Sequence, residues 1–305
     1  MSVIVYGSIN TDLIAYTTHL PRKGETLLGD TYFMALGGKG ANQAVSASKL
    51  GAKVNMVGHV GNDTFGNEVI NQLNYYGVDT KNIEVVKNQG SGLAVISVDD
   101  NGDNTIIVLS GANMEFDQLD VDRTETLFDD AKVLLLQLEV PVEADLAIAR
   151  AAYKRGIKVI LDPAPAATLP DELYDVVDII TPNEVEIEMM VGIKPDSRED
   201  IVEAANMLHH RGVNTVIVTL GSEGVFCLEG SKRTFMPTFE VDAIDTVGSG
   251  DAFNGGLAVA ISEGKSIEDA LVWGSAAGAL STTRSGAAGA MPDRKELMKF
   301  IANNE

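Results

Sequence analysis

The 305-residue sequence predicts an α/β fold: a mainly parallel sheet with helices on both faces, plus a small β-sheet lid. Three observations carry that expectation. Short β-branched runs, apolar on both faces, recur along the chain, as the strands of a doubly covered parallel sheet require. Helical patterns alternate with them, and several end in glycine, which closes helices in the left-handed conformation. Two β-rich segments interrupt the rhythm and supply material for a second sheet.

The strand runs are Val3–Tyr6, Val54–Val57, Val133–Leu136, Val159–Leu161, Val176–Ile180 and Val216–Val218. The helical patterns between and after them are Ala41–Leu50, Phe65–Tyr76, Ala144–Arg155, Ile201–His210, Ala252–Ser262 and Ile267–Ser281. Gly51, Gly77, Gly156, Gly212 and Gly264 stand at helix ends. This alternation implies right-handed crossovers. Leu13–Phe33 reads as irregular strands around Pro21 and Gly24. Leu93–Val98 and Thr105–Leu109 flank Asp99-Asp100-Asn101-Gly102, and Asn-Gly between β-rich runs signals a hairpin. With no linker, repeat or low-complexity tract, residues 1–305 read as one domain, with the lid inserted from positions near 11–36 and 91–110.

Composition narrows the function. There are 23 Lys+Arg against 44 Asp+Glu, a formal net charge of −21. Such a surface repels nucleic acid and anionic membranes, which are set aside as partners. The one cysteine, Cys227, lies in the apolar run Val225–Leu228. It allows neither an internal disulfide nor a multi-cysteine zinc site. The N-terminal run is too short for a signal peptide, and no stretch approaches the roughly 18 apolar residues of a membrane span. The expected location is the cytoplasm.

Several nucleotide and hydrolase signatures fail. Gly37-Gly38-Lys39-Gly40 has Phe33 where a P-loop needs glycine, and Gly40 where it needs Ser or Thr. Gly248-Ser249-Gly250 has Phe253 in place of the third glycine of a dinucleotide fingerprint. There is no G-x-S-x-G elbow and no H-E-x-x-H.

The strongest candidate is Asp245-Thr246-Val247-Gly248-Ser249-Gly250-Asp251, just before a helical pattern. Glycines let the backbone approach a ligand, and a helix N-terminus offers free N–H groups and partial positive charge. Gly248, Ser249 and Gly250 would form an anion hole, with Asp251 at its mouth to accept a proton. The helix terminus is expected to hold the Asp251 carboxyl low. Gly37–Asn42 is a second glycine-rich helix start, with Lys39 and Asn42 as donors. Asn10 and Asp12, two apart on an extended chain, point the same way and suit vicinal hydroxyls. Asn183 and Glu186, read as neighbours on one helix face, suit the water shell of Mg²⁺. Glu139 ends a strand run at the edge where α/β sheets bind ligands.

Gly37–Asn42 and Asp245–Asp251 resemble the two signatures of the ribokinase-like family of carbohydrate kinases. Gly7–Asp12, Gln137–Glu139, Asp162–Ala166, Thr181–Glu184 and Thr219–Ser222 are similar to that family in the same order. The resemblance spans nearly the whole chain and implies phosphoryl transfer from ATP to the 5-hydroxyl of D-ribose. It implies that Asn10, Asp12, Gly38, Lys39, Asn42, Glu139 and Asp251 hold the sugar, with Asp251 as base. Asn183, Thr219, Gly221, Gly224, Gly250 and Ser275 would contact ATP, with Glu186 acting indirectly on Mg²⁺. A monovalent cation, K⁺, would sit at Asp245, Val247, Ser281, Arg284, Gly286 and Ala290. The lid would pair two copies into a homodimer. Other readings stay open: a kinase for 2-deoxyribose, fructose or adenosine, a non-catalytic sensor, or, weakened by the missing fingerprint, a nicotinamide oxidoreductase.

Overall fold

A computed structural model describes residues 2–304. The chain runs β1 (Ser2–Tyr6), β2 (Asn10–Tyr16), β3 (Thr31–Gly37), α1 (Lys39–Lys49), β4 (Lys53–Gly61), α2 (Thr64–Tyr75), β5 (Asp79–Val86), β6 (Gly92–Val98) and β7 (Asn104–Leu109). It continues α3 (Gln118–Glu125), β8 (Ala131–Gln137), α4 (Val142–Lys154), β9 (Lys158–Asp162), α5 (Asp171–Tyr174), β10 (Ile179–Ile180), α6 (Glu184–Val191), α7 (Arg198–His210) and β11 (Thr215–Thr219). The last elements are β12 (Val225–Glu229), β13 (Lys232–Met236), α8 (Ser249–Ser262), α9 (Ile267–Thr282) and α10 (Arg294–Asn304).

The nine-stranded sheet has the order β13-β12-β11-β10-β9-β8-β1-β4-β5. Pairings from β5 to β11 are parallel, and β12 and β13 add antiparallel at one edge. Each central strand feeds both faces. Val3 and Val5 join a core with α1, α2, α8, α9 and α10, whereas Ile4 and Tyr6 join one with α3, α4, α5, α6 and α7. Val133 and Leu135 face Leu134 and Leu136 across β8 in the same way. That is why these runs are apolar at every position.

The second sheet has the order β3-β2-β6-β7. It is β-rich but two-sided: every residue of β7 and Thr31–Met34 of β3 is exposed. The hairpin turn closes on Gly102 (φ +82°), with the Asp99 carboxylate accepting the N–H groups of Asn101 and Asp103.

Three expectations are corrected. The Val176–Ile180 run is strand only at Ile179–Ile180. Val176 N–H still bonds Leu173 at the end of α5, so the chain enters the sheet late. Leu13–Phe33 contains two regular strand segments, Leu13–Tyr16 of β2 and Thr31–Phe33 of β3, in one antiparallel ladder, and the irregular part is the loop between them. Asn183 and Glu186 do not share a helix face. Asn183 is the extended N-cap of α6, and the two side chains cap each other's backbone N–H at 2.8 Å in both directions. The glycines at the five helix ends do take positive φ, from +70° at Gly156 to +125° at Gly212.

The described residues contain no helix long and apolar enough to cross a membrane. They do contain one costly group. Asp145 of α4 is fully buried, and neither carboxylate oxygen has a partner among the described residues. Burial holds its carboxyl well above the usual carboxylate range, so it folds neutral. The stability this gives is complete below the unfolded value near 4 and is lost as pH rises toward the folded value. Asp145→Asn should therefore gain on the wild type as pH rises from 4 to 8. Thermal melts across that range check it; a difference in Tm that does not change with pH would contradict a neutral Asp145.

Candidate active site

Two helix N-termini meet at the edge formed by the C-terminal ends of β1, β8 and β9. Their backbone donors are used differently. At α1, Lys39 N–H donates to Glu139 Oε2 at 3.0 Å, Gly40 N–H to Ser8 Oγ at 3.3 Å, and Ala41 N–H to the Ser8 carbonyl at 2.9 Å. Gly38 (φ +86°) and Gly40 make that contact possible. A Cβ on Gly38 would lie 2.8 Å from the Asn10 nitrogen, and one on Gly40 2.7 Å from that of Ser8. The α1 start is thus filled by protein and offers side chains, not backbone.

At α8 the N-cap Gly248 is left-handed (φ +74°) and supplies no side-chain cap. Ser249 N–H bonds the Thr246 carbonyl and Ala252 N–H that of Gly248. The N–H groups of Gly250 and Asp251 find no partner among the described residues. Free N–H donors at a helix start can receive an anion.

The Asp251 side chain turns from α8 toward α1 and is 5% exposed. Asn42 Nδ2 donates to its Oδ2 at 3.0 Å, and Gln43 Nε2 to its Oδ1 at 3.2 Å. Gln43 Nε2 also donates to Asp162 Oδ2 at 2.8 Å, and Gln137 Nε2 donates to Gln43 Oε1 at 2.7 Å. This chain fixes the Gln43 amide with both hydrogens toward the two carboxylates. Lys39 Nζ lies 4.0 Å from Asp162 Oδ2. Gln43, Gln137 and Asp162 had no role assigned from sequence. Gln43 carries no signature of its own, whereas Gln137 and Asp162 open two of the motifs that carry the family resemblance.

Electrostatics corrects one expectation. Burial raises the Asp251 carboxyl above its ordinary value, against the opposing pull of Lys39, Asn42 and Gln43. The helix terminus does not hold it low, because desolvation outweighs the partial charge there. Burial also pushes Asp162 up to about 8, opposed by Lys39, and Asp12 up to about 6, helped by Glu139 and Asp251. Burial disfavours charge on Lys39, but Asp162, Asp251 and Glu139 outweigh it and hold the ammonium protonated.

The sugar-site candidates are gathered on the α1 side of Asp251. Asn10 and Asp12 lie on one face of β2, with Asp12 packed over Gly37. Glu139 accepts from Ser8 Oγ and Lys39 N–H. Asn42 Oδ1 is buried with no partner among the described residues and is an acceptor at hand for a hydroxyl.

On the other side of Asp251 lies a cleft of about 800 Å³. All six nucleotide-site candidates line it: Asn183, Thr219, Gly221, Gly224, Gly250 and Ser275. Val185, Phe239, Val241, Phe253 and Ala279 supply apolar wall. Gly224 (φ +97°) is required there, since a Cβ would lie 2.1 Å from the Met236 carbonyl oxygen.

The cation candidates form two abutting loops behind the α8 start. Asp245 accepts from Val247 N–H at 3.0 Å and Gly286 N–H at 2.8 Å, joining them. Gly248 sits against Ala287, where a Cβ would lie 2.9 Å from that of Ala287. The Ser281 hydroxyl donates to the Gly278 carbonyl, and Arg284 is turned to Glu296. Ala290 is buried in the same turn. The Asp245 oxygens are met by N–H groups, and the Ser281 carbonyl accepts Arg284 N–H at 3.3 Å, so a hard cation here would draw on the carboxylate and carbonyls, to which Arg284 can contribute only its own.

Residues 1–294 match the family model described as pfkB family carbohydrate kinase. The chain belongs to that family. It is 41% identical to a ribokinase of Haemophilus influenzae, over 98% of both chains. It is 36% identical to a deoxyribokinase of Salmonella typhimurium, over 100% of both. The structure of Arabidopsis thaliana ribokinase complexed with ribose and ATP superposes with a TM-score of 0.92 at 35% identity, covering 98% of each chain.

Gln43 holds Asp251 and lowers its proton affinity. Gln43→Leu should cut kcat about 10–100-fold through misplacement of that carboxylate. It should also move the acid limb of the rate profile to higher pH. Rate–pH profiles of the two proteins test this; an unmoved limb would deny Gln43 its hold on Asp251.

Proposed function

We propose that this enzyme transfers the γ-phosphoryl group of ATP to the 5-hydroxyl of D-ribose, giving ribose 5-phosphate and ADP. One observation carries the reading. Asp251 stands where a nucleotide-sized cleft meets a pocket of convergent polar side chains, beside two free backbone N–H groups. A sugar hydroxyl and a phosphate brought to that junction meet an acceptor for the proton and donors for the charge.

In this reading the chain is a single cytoplasmic domain with the four-stranded sheet as its lid. Asn10, Asp12, Gly38, Lys39, Asn42 and Glu139 hold the sugar, and the Asn42 carbonyl oxygen accepts from one hydroxyl. Asn183, Thr219, Gly221, Gly224, Gly250 and Ser275 hold the nucleotide. Asp251 takes the proton of the attacking hydroxyl. Its raised proton affinity makes it a stronger base than an exposed carboxylate, while Lys39, Asn42 and Gln43 pull the affinity the other way. The N–H groups of Gly250 and Asp251, with Gly248 and Ser249 shaping the turn, stabilise charge on the transferring group. Positioning and electrostatics supply most of the catalysis expected for a loose phosphoryl-transfer transition state.

Mg²⁺ bound with the nucleotide would neutralise phosphate charge, with Glu186 as its indirect carboxylate, and K⁺ held by Asp245 and the carbonyls of Val247, Ser281, Arg284, Gly286 and Ala290 would add positive charge behind the α8 start. Glu186 already spends one oxygen on the Asn183 cap, which leaves the other to meet water. The exposed apolar residues of β3 and β7, among them Tyr32, Phe33, Ile107 and Leu109, suit pairing of two lids into a homodimer.

ADP release with MgATP and KCl, measured across ribose, 2-deoxyribose, fructose and adenosine, tests the substrate. Ribose should be preferred; preference for 2-deoxyribose would move the chain to the deoxyribokinase type. Asp251→Asn should keep the fold and ATP binding and lose at least about 10²-fold in kcat. Retention of more than a tenth of kcat would remove Asp251 as base. The acid limb of kcat/KM should lie above the ordinary carboxylate value near 4, since activity requires ionised Asp251 and is lost as pH falls through its raised value.

A further inference from the structure

The first of the lid's two excursions leaves the main sheet at Ile9–Asn10, and the second returns through a 3₁₀ turn at Gly111–Met114. Both roots meet at Asn113, which is 1% exposed. Asn113 Oδ1 accepts the Ile9 N–H at 2.9 Å, and its Nδ2 donates to the Ile9 carbonyl at 3.3 Å and to Asn10 Oδ1 at 2.7 Å. Gly92 of β6, paired with Asn10, leaves room for that last bond. A Cβ there would stand 2.1 Å from Asn10 Oδ1 and 2.3 Å from Asn113 Nδ2.

The consequence lies in the Asn10 amide. An asparagine amide presents either an acceptor or a donor, and its terminal torsion is broad enough to allow both. With Oδ1 held by Asn113, the Nδ2 hydrogens are the part of the amide left without a partner among the described residues and free for the sugar. Asp12, on the same face of β2, is an acceptor when ionised. The clamped wall therefore offers one donor beside one acceptor, the pair that matches sugar hydroxyls. Released, the amide can turn its oxygen inward and set two acceptors side by side, leaving a hydroxyl oxygen without a donor.

We propose that Asn113 is a positioning residue for sugar selection: it fixes the Asn10 amide with its donors toward the sugar and so sets preference for a sugar that carries a hydroxyl there over its deoxy analogue. This rests on the sugar-kinase reading above. A site built to bond a hydroxyl penalises the analogue that lacks it, because its own polar groups are then left unpaired. Relatives named for ribose and for deoxyribose match this chain at comparable identity, so the choice turns on few contacts.

Asn113→Asp in the 305-residue enzyme keeps the acceptor for Ile9 N–H and loses the donor to Asn10. KM for ribose should rise about 10–100-fold, the worth of one or two buried hydrogen bonds. KM for 2-deoxyribose, KM for ATP and kcat at saturating sugar should each change less than about threefold, a split that loss of one selective contact produces and general loosening does not. Gly92→Ala, at a non-left-handed strand position, forces a methyl group into the same bond and should reproduce the fall in ribose preference. If Asn113→Asp does not fold, that variant decides. An unchanged ribose-to-deoxyribose ratio, or equal losses on both sugars with a lowered Tm, overturns the inference and leaves Asn113 a structural tie. Wild-type enzyme inactive on both sugars overturns the kinase reading itself, and the inference falls with it.

Discussion

Lys39 is the point on which the site balances. Asp162, Asp251, Glu139 and Glu186 all act on its ammonium, and in a chain of net charge −21 it is their nearest counter-charge. Burying carboxylates without a partner costs several kcal/mol each. Here the cost is spread over one cation, the amides of Asn42 and Gln43, and partial neutralisation of Asp162 and Asp12. The arrangement holds only if α1 and α8 approach closely at their starts. They do so because Gly255 faces Ser46, where a Cβ would lie 2.2 Å from the serine oxygen. On the far side of α8, Gly256 abuts Trp273 of α9 and Gly274 abuts Phe253. Glycines at helix crossings thus set the distance between the carboxylate and its donors.

The two helix starts divide the labour. α1 spends its backbone N–H groups on Ser8 and Glu139, which locks the loop carrying Lys39 and makes that wall a rigid set of side chains. α8 keeps the N–H groups of Gly250 and Asp251 free. An acidic protein that handles an anionic nucleotide gains from this, because backbone donors attract phosphate without adding cations that the carboxylates nearby would capture. Gly250 has nothing within 4 Å of where a Cβ would stand, so neighbouring protein does not require glycine there. That open space would let a ligand approach the backbone closely.

How much of this could be read in the sequence follows from what each element buries. β1, β8, β9 and β11 are legible because both faces are core. β5 is not: Asp79–Val86 is a half-exposed edge with polar residues on both faces, and it shows neither period. α3 and α10 are short or polar and escaped for the same reason. The glycine-rich starts and Asp251 stood out by composition, but nothing local told which start keeps its N–H groups. That depends on Ser8 and Glu139, the latter 100 positions from Lys39. Asn113 was invisible on the same ground, since its partners Ile9 and Asn10 lie more than a hundred positions away.

The corrected Asp251 affinity bears on how the lid and the base work together. A helix start alone would give a weak, permanently ionised carboxylate. Burial alone would give a protonated one, as at Asp145, where no neighbour opposes it. Asp251 sits between these limits because Lys39, Asn42 and Gln43 oppose the desolvation that raises it. Sugar and lid over the site remove more water, which strengthens the proton affinity of Asp251 and its interactions with those donors together. Closure over the site and the donors around Asp251 thus act on the same carboxyl in opposite directions.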